Sequence, residues 1–465
     1  MIFTSLAFIV FFIIVITGSL IIQSCSGERV KFCFLLIASY FFYGWWDWRF
    51  CFLLLFVTLT SYITALHSEN KTAYITGIWI PLIVLGIFKY FNFFLDSIAS
   101  LTGHEFMSLK IILPVGISFY TFQALSYVID VHRKKIEPER DFIRLALYIA
   151  FFPQLVAGPI VRASDFLPQL RESSRRITSS NFCAGIQLIA MGFFKKVVLA
   201  DHLSVFVDDV FRVPVAFHWA TIILAVISYS LQIYFDFAGY SDIASGCAKC
   251  LGYDFSINFN LPYISQSITE FWRRWHISLS GWLRDYLYIP LGGNRNGKFR
   301  QLMNIMITMM LGGLWHGANW TFVFWGGLNG MALCCEKVFL KREHKSNVIF
   351  SLARIIAVFS FISFTWIFFR AESFSDSWLI IRGIFTMQNG IVQQFFWSFF
   401  AIVILILSEL SAFMKSNREN LNEIRGYCPV LNLGHVTGLT MFFVFIGIIL
   451  GLAFTGEHPF VYFQF

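Results

Sequence analysis

Apolar runs long enough to cross a bilayer recur along this chain from residue 3 to residue 455, separated by short polar connections. A crossing helix needs about 20 mostly apolar residues. On that pattern the chain predicts spans at 3–23, 30–46, 48–66, 73–95, 111–129, 142–161, 182–200, 217–239, 301–315, 318–339, 350–369, 391–413 and 436–455. Two of them carry breakers, Pro114 with Gly116 in one and Pro153, Gly158 and Pro159 in the other. Broken or re-entrant helices are expected there, because irregular backbone at membrane depth persists only where protein or a cavity shields it. Residues 3–23 lack the charged start and small-residue cleavage site of a secretory signal, so they read as a retained helix. The expectation is an all-α polytopic membrane protein of about 11–13 spanning or re-entrant helices, in a single domain over 1–465.

Composition agrees with the pattern. The chain is 57% hydrophobic and 13% charged, with a mean hydropathy of +0.68, where soluble domains carry roughly 25% charged residues. The net charge of +8 could suggest nucleic acid, but the cations form no tail or stripe. They gather in short loops: Arg133, Lys134 and Lys135; Arg162, Arg171, Arg175 and Arg176; Arg273, Arg274, Arg284, Arg295, Lys298 and Arg300; Lys337, Lys341, Arg342 and Lys345. The positive-inside rule places these in the cytoplasm beside anionic lipid, and places residues 96–109 outside. No nucleic-acid partner is expected. Nine cysteines, most inside apolar runs, make no disulfide framework. Cys247 and Cys250 have zinc-like spacing without a second pair, so no metal is expected.

Residues 265–290 depart from the rest. Trp272, Leu279, Leu283 and Tyr286 recur at helical steps, while Arg273, Arg274, Arg284 and Asp285 take other faces. The pattern predicts one amphipathic helix at the membrane interface, with His276 on its apolar side. A second histidine, His316, stands among Gly312, Gly313 and Gly317 with Trp315 and Trp320 beside it. An ionisable group inside a membrane usually has a task or a buried partner. An apolar site keeps imidazole neutral and able to accept a proton; the plain alternative for each histidine is a hydrogen bond that joins helices. Asp236 and Asp242 end an apolar run, where they could orient a histidine's tautomer or pair with the arginines of the basic helix. Walker loops, nucleophile elbows and His-Glu-x-x-His motifs are missing, which argues against ATP-driven transport and serine hydrolysis.

The stretch Phe271-Trp272-Arg273-Arg274-Trp275-His276-Ile277-Ser278-Leu279-Ser280, continued to Asn294, closely resembles the signature of the membrane-bound O-acyltransferase (MBOAT) family, and most of all its bacterial, alginate-acetylating polysaccharide O-acetyltransferase branch. Leu113 to Gln123, Phe152 to Ile160, Tyr234 to Asp242, Leu314 to Ala318 and the ending Pro459 to Phe465 are similar to further family blocks, in family order. The resemblance implies helices around a funnel or tunnel that both histidines face. It implies that His316 is catalytic, as general base, and that His276 is its helper, orienting the thioester or donating to the developing oxyanion. The implied donor is cytoplasmic acetyl-CoA, a substrate rather than a bound cofactor, with Arg273, Arg274 and Arg284 meeting its phosphates. Trp275, Ser278, Asp285, Trp315, Asn319 and Gln123 are expected to contact substrate, and Asp236 and Asp242 to orient. The implied acceptor is an exported or envelope polysaccharide, reached through an SGNH-hydrolase-like extracytoplasmic partner or directly, at the bacterial inner membrane. A polysaccharide exporter or flippase, and an acyltransferase for D-alanyl or long-chain groups, are the competing readings.

Overall fold

A computed structural model describes residues 1–465 except 26, 105, 106, 108, 157, 173–175, 340–347, 394, 417–430, 457–459 and 461–465, with side chains also undescribed at 408–416. Ala157, Arg175, Lys341, Arg342, Lys345, Cys428, Pro459 and the closing 461–465 therefore lie outside the described residues. The rest is helical, with one isolated bridge between Phe217 and Ile391. The chain divides into two compact units, 1–190 with 240–256 and 191–239 with 257–465.

The first unit contains α1 (Leu6–Cys25), α2 (Glu28–Gly44), α3 (Arg49–Leu66), α4 (Lys71–Leu85), α5 (Phe91–Thr102), α6 (Ile117–His132), α7 (Phe142–Ala150), α8 (Phe152–Leu155), α9 (Ala163–Arg171) and most of α10 (Ser179–Phe193). Its centre is α6, buried from Ile117 to Val131 by α3, α4, α7 and α9. The breakers act as the sequence led one to expect. Residues 111–116 are not helical, and α6 starts only after Gly116, whose φ of +76° suits a residue without Cβ. A Cβ there would also strike the Leu155 carbonyl. Likewise α7 stops at Ala150, ahead of the short turn that carries Pro153.

The second unit holds α11 (Asp201–Arg212), most of α12 (Trp219–Cys250), α13 (Ile268–Arg274), α14 (Ile277–Leu283), α15 (Gly297–His316), α16 (Trp320–Phe339), α17 (Val348–Arg370), α18 (Phe374–Phe385), α19 (Phe396–Ser416) and α20 (Val436–Leu452). Its organising pair is the α15–α16 hairpin, joined by three residues. Gly313 lies so near α16 that a Cβ would meet the Phe322 carbonyl, and Gly326 returns the contact against Met309. Small residues at such a crossing let two backbones close up inside a membrane.

Among the described residues, six helical runs are long and apolar enough to cross a membrane: Leu6–Cys25, Arg49–Leu66, Lys71–Thr102, Ser179–Arg212, Trp219–Cys250 and Val348–Arg370. The larger expected number included shorter or more polar helices, α15 and α16 among them. Exposed apolar side chains such as Ile9, Ile13 and Ile14 on α1, and Ile349, Phe350 and Ile356 on α17, suit contact with lipid rather than water. Lys71–Thr102 and Ser179–Arg212 are longer than the predicted spans 73–95 and 182–200. A π turn, Phe194–Ala200, carries α10 into α11, and another, Gly86–Tyr90, carries α4 into α5.

Candidate active site

The amphipathic segment is not one helix. Ser267 caps α13 by accepting the Glu270 amide at 3.0 Å, and Glu270 reaches back to the Gln266 amide at 2.8 Å, close to a capping box. The helix ends after seven residues because Trp275 turns extended and His276 takes a left-handed conformation, φ +42°. Apolar periodicity cannot reveal such a break, since the helical steps resume in α14 and in the π turn Arg284–Tyr288. A non-glycine residue there costs roughly 1–2 kcal/mol, so something must hold it.

Asn258 is what holds it. Its carbonyl accepts the Ile277 amide at 2.9 Å. Its side-chain Oδ1 accepts the Ser278 amide at 3.3 Å and the Ser278 hydroxyl at 2.8 Å, and lies 3.1 Å from His276 Nδ1. A backbone N–H can only donate, so the Ser278 amide identifies that atom as the amide oxygen. Nδ1 must then carry the proton, and in the neutral ring Nε2 carries the lone pair. Burial supports the neutral ring: His276 is fully buried, and desolvation pushes its pKa down to about 3. A neutral Nδ1–H imidazole has no hydrogen on Nε2. In that tautomer Nε2 is an acceptor.

The two histidines come together around one indole. Trp315 lies with its ring centroid 6.0 Å from His276 and 5.0 Å from His316. His316, the last residue of α15, meets Trp325 and Phe369 edge-on, each at 5.2 Å. Phe237 of α12 meets His276 at 4.7 Å.

His316 also walls a cavity of ≈ 330 Å³. Leu279, Leu283, Ile305, Met309, Trp325 and Leu333 give it apolar walls, while Arg273, Arg284 and Lys337 border it too. Along α16 the twelve steps from Trp325 to Lys337 span about 18 Å, so the cavity reaches from Lys337 to the histidine. The indole N–H groups of Trp272 and Trp325, both lining residues, have no hydrogen-bond partner among the described residues. They are donors available to a guest.

The remaining expected residues scatter. Trp275 is buried and packs on Trp366 at 5.1 Å; Ser278 belongs to the Asn258 clasp. Arg274 pairs with Glu270 at 2.9 Å rather than facing the cavity, and Arg284 shares its charge with Asp285 at 2.7 Å. Asn319 caps α16 through the Thr321 amide and donates to the Glu372 carbonyl at 2.8 Å. Gln123 is buried in the first unit, its amide without a partner among the described residues, and Asp242 is half-buried in that same unit. Asp236 pairs with a lysine. It joins Asp201 on the ammonium of Lys196, each at 2.7 Å, in a triad that is almost wholly buried.

Sequence reading missed Asn258 and Lys196. A lysine within an apolar run calls for a buried carboxylate, and that signal was present in Phe194-Lys195-Lys196-Val197. Nothing marks Asn258 out from its neighbours.

The membrane-bound O-acyltransferase family model matches residues 139–375. A probable alginate O-acetylase of Pseudomonas aeruginosa is 43% identical over 403 residues, covering 83% of this chain and 75% of the relative. Another, from Azotobacter vinelandii, is 41% identical, covering 84% and 79%. A peptidoglycan O-acetyltransferase of Helicobacter pylori is 36% identical over 77% of this chain and 74% of its own.

Proposed function

The chain belongs to the membrane-bound O-acyltransferase family and is a membrane acyltransferase; on that premise we propose that it moves an acetyl group from a cytoplasmic thioester, acetyl-CoA, to a hydroxyl of an envelope or exported polysaccharide. Relatives named for alginate and peptidoglycan O-acetylation support the acetyl group and the polymer. The observation that carries the donor assignment is the apolar cavity bordered by Arg273, Arg284 and Lys337 as well as His316. Its cations suit the phosphates of a coenzyme, and apolar walls suit a thioester arm. The bacterial inner membrane is the compartment in which such a donor and such an acceptor meet from opposite sides.

In this reading His316 takes the proton of the acceptor hydroxyl as its oxygen attacks the thioester carbon. The C–S bond breaks, and the proton returns to the departing thiolate. Trp325 Nε1–H donates to the carbonyl oxygen as charge builds on it, in a site where water is scarce. His276 offers the Nε2 lone pair to a second donor on the acceptor, such as a neighbouring hydroxyl or N–H, with its tautomer held by Asn258. The hydroxyl belongs to the polymer or, in a relay, to a serine of an SGNH-hydrolase-like partner outside the membrane.

Purified protein given acetyl-CoA or palmitoyl-CoA tests the donor. Thioester turnover with the short chain supports the reading, and turnover confined to the long chain overturns it. His316→Ala should lower acetyl transfer by at least about 10³-fold. If that variant acetylates polymer normally yet blocks its export, the protein is a flippase.

A further inference from the structure

A second cavity, of ≈ 290 Å³, lies where α11 and α17 end and α18 begins. Its character is opposite to the first, with Asp208, Arg212, Arg370, Glu372 and Asp376 around the aromatic Phe211. Arg370 bridges to Asp208 at 2.7 Å, and its guanidinium stands 5.9 Å from the centroid of the Phe211 ring. Ser373 caps α18 and donates its hydroxyl to Asp376 at 2.7 Å. Arg212 is exposed and makes no ion pair among the described residues.

Two contacts join this polar cavity to the reacting histidine. Phe369, the residue before Arg370, has its ring 5.2 Å from that of His316. Asn319, three residues past His316, donates to the Glu372 carbonyl at 2.8 Å. Lys337, which borders the apolar cavity, lies further along α16, about 18 Å from Trp325. His316 thus borders an apolar space and is linked through Phe369 to Arg370, which lines a polar one.

We propose that the polar cavity is the acceptor subsite, holding a hydroxyl-rich saccharide unit whose free hydroxyl reaches His316 past Phe369. The proposal rests on the acetyl-transfer reading above. A sugar buried in the apolar cavity would leave its hydroxyls without partners, at a cost of a few kcal/mol each. Here carboxylates accept and guanidinium groups donate, side by side, which is what neighbouring sugar hydroxyls require. Phe211 offers an apolar face to the ring's C–H groups. A serine-bearing protein segment would be met instead by a more apolar surface with fewer charges at its centre.

Arg212→Gln and Glu372→Gln change exposed side chains and should fold normally. The probes are a non-acetylated alginate hexasaccharide and cellohexaose, with binding to the purified full chain followed by NMR and transfer followed with labelled acetyl-CoA. At least one hexasaccharide should bind, and both variants should weaken that binding and raise the acceptor KM about tenfold, leaving the donor KM unmoved. Unaltered hexasaccharide binding in the variants overturns the subsite, as does failure of both probes to bind the parent protein. Loss of transfer only to a partner protein would assign the cavity to that protein, and also overturns it. Failure of the parent protein to turn over acetyl-CoA, with saccharide binding intact, would instead sink the acetyl-transfer reading.

Discussion

His276 and His316 are both buried rings against Trp315, yet they are held by opposite means. His316 ends a 20-residue helix, walls a cavity and is hemmed by the edges of Trp325 and Phe369. His276 sits in a left-handed break between two seven-residue helices, its Nδ1 proton given to Asn258. For His276 a committed acceptor fixes both where the ring lies and which nitrogen bears its proton. The first ring is therefore built for access to a guest, and the second for a constant protonation state.

The strongest way to break that contrast is Trp325→Phe. If Trp325 is only a wall, phenylalanine keeps most of its packing and the rate holds. If its N–H serves the reacting carbonyl, kcat should fall about 10²-fold with the donor KM little changed. Single-turnover acetyl transfer by purified variants distinguishes the two, and an unaltered kcat removes the donor role.

Much of this was legible in the sequence, for physical reasons. Apolar runs predicted helices, prolines and glycines predicted the breaks before α6 and after α7, and the glycine-flanked His316 predicted a close crossing. The break at His276 was not legible. Its left-handed backbone follows from the hold of Asn258, eighteen residues away, and periodicity registers only residues on one continuous helix. The partner of Asp236 was hidden for a related reason. Coulomb attraction predicted some cation, but only the fold could select Lys196 over the arginines of the basic segment.

A milder perturbation sharpens the other side of the contrast. In Asn258→Asp the Nδ1 proton keeps an acceptor, but that acceptor now carries negative charge. A carboxylate beside imidazole favours the cationic ring, so the pKa of His276 rises from its depressed value of about 3. The sign follows directly. The parent ring stays neutral over pH 5–8, whereas the variant's ring protonates as pH falls and loses its Nε2 lone pair. Activity of Asn258→Asp should match the parent near pH 8 and drop about tenfold further than the parent by pH 5. Superimposable profiles would show that the lone pair of His276 takes no part in the rate.

The smallest effect is expected at the cations that border the same cavity as His316. Arg273→Gln and Lys337→Gln should each raise the donor KM a few-fold, weaken its dependence on salt and leave kcat and the pH profile alone. Arg284→Gln should do less, because Arg284 is 65% exposed and already shares its charge with Asp285. Donor KM measured at low and high ionic strength tests the ranking. If Arg284→Gln proves the most damaging of the three, the Arg284–Asp285 pair must open when donor binds, and the cation then acts on the phosphates directly. If none of the three alters the salt dependence, the donor does not enter between these cations, and the cavity's access to His316 serves some other guest.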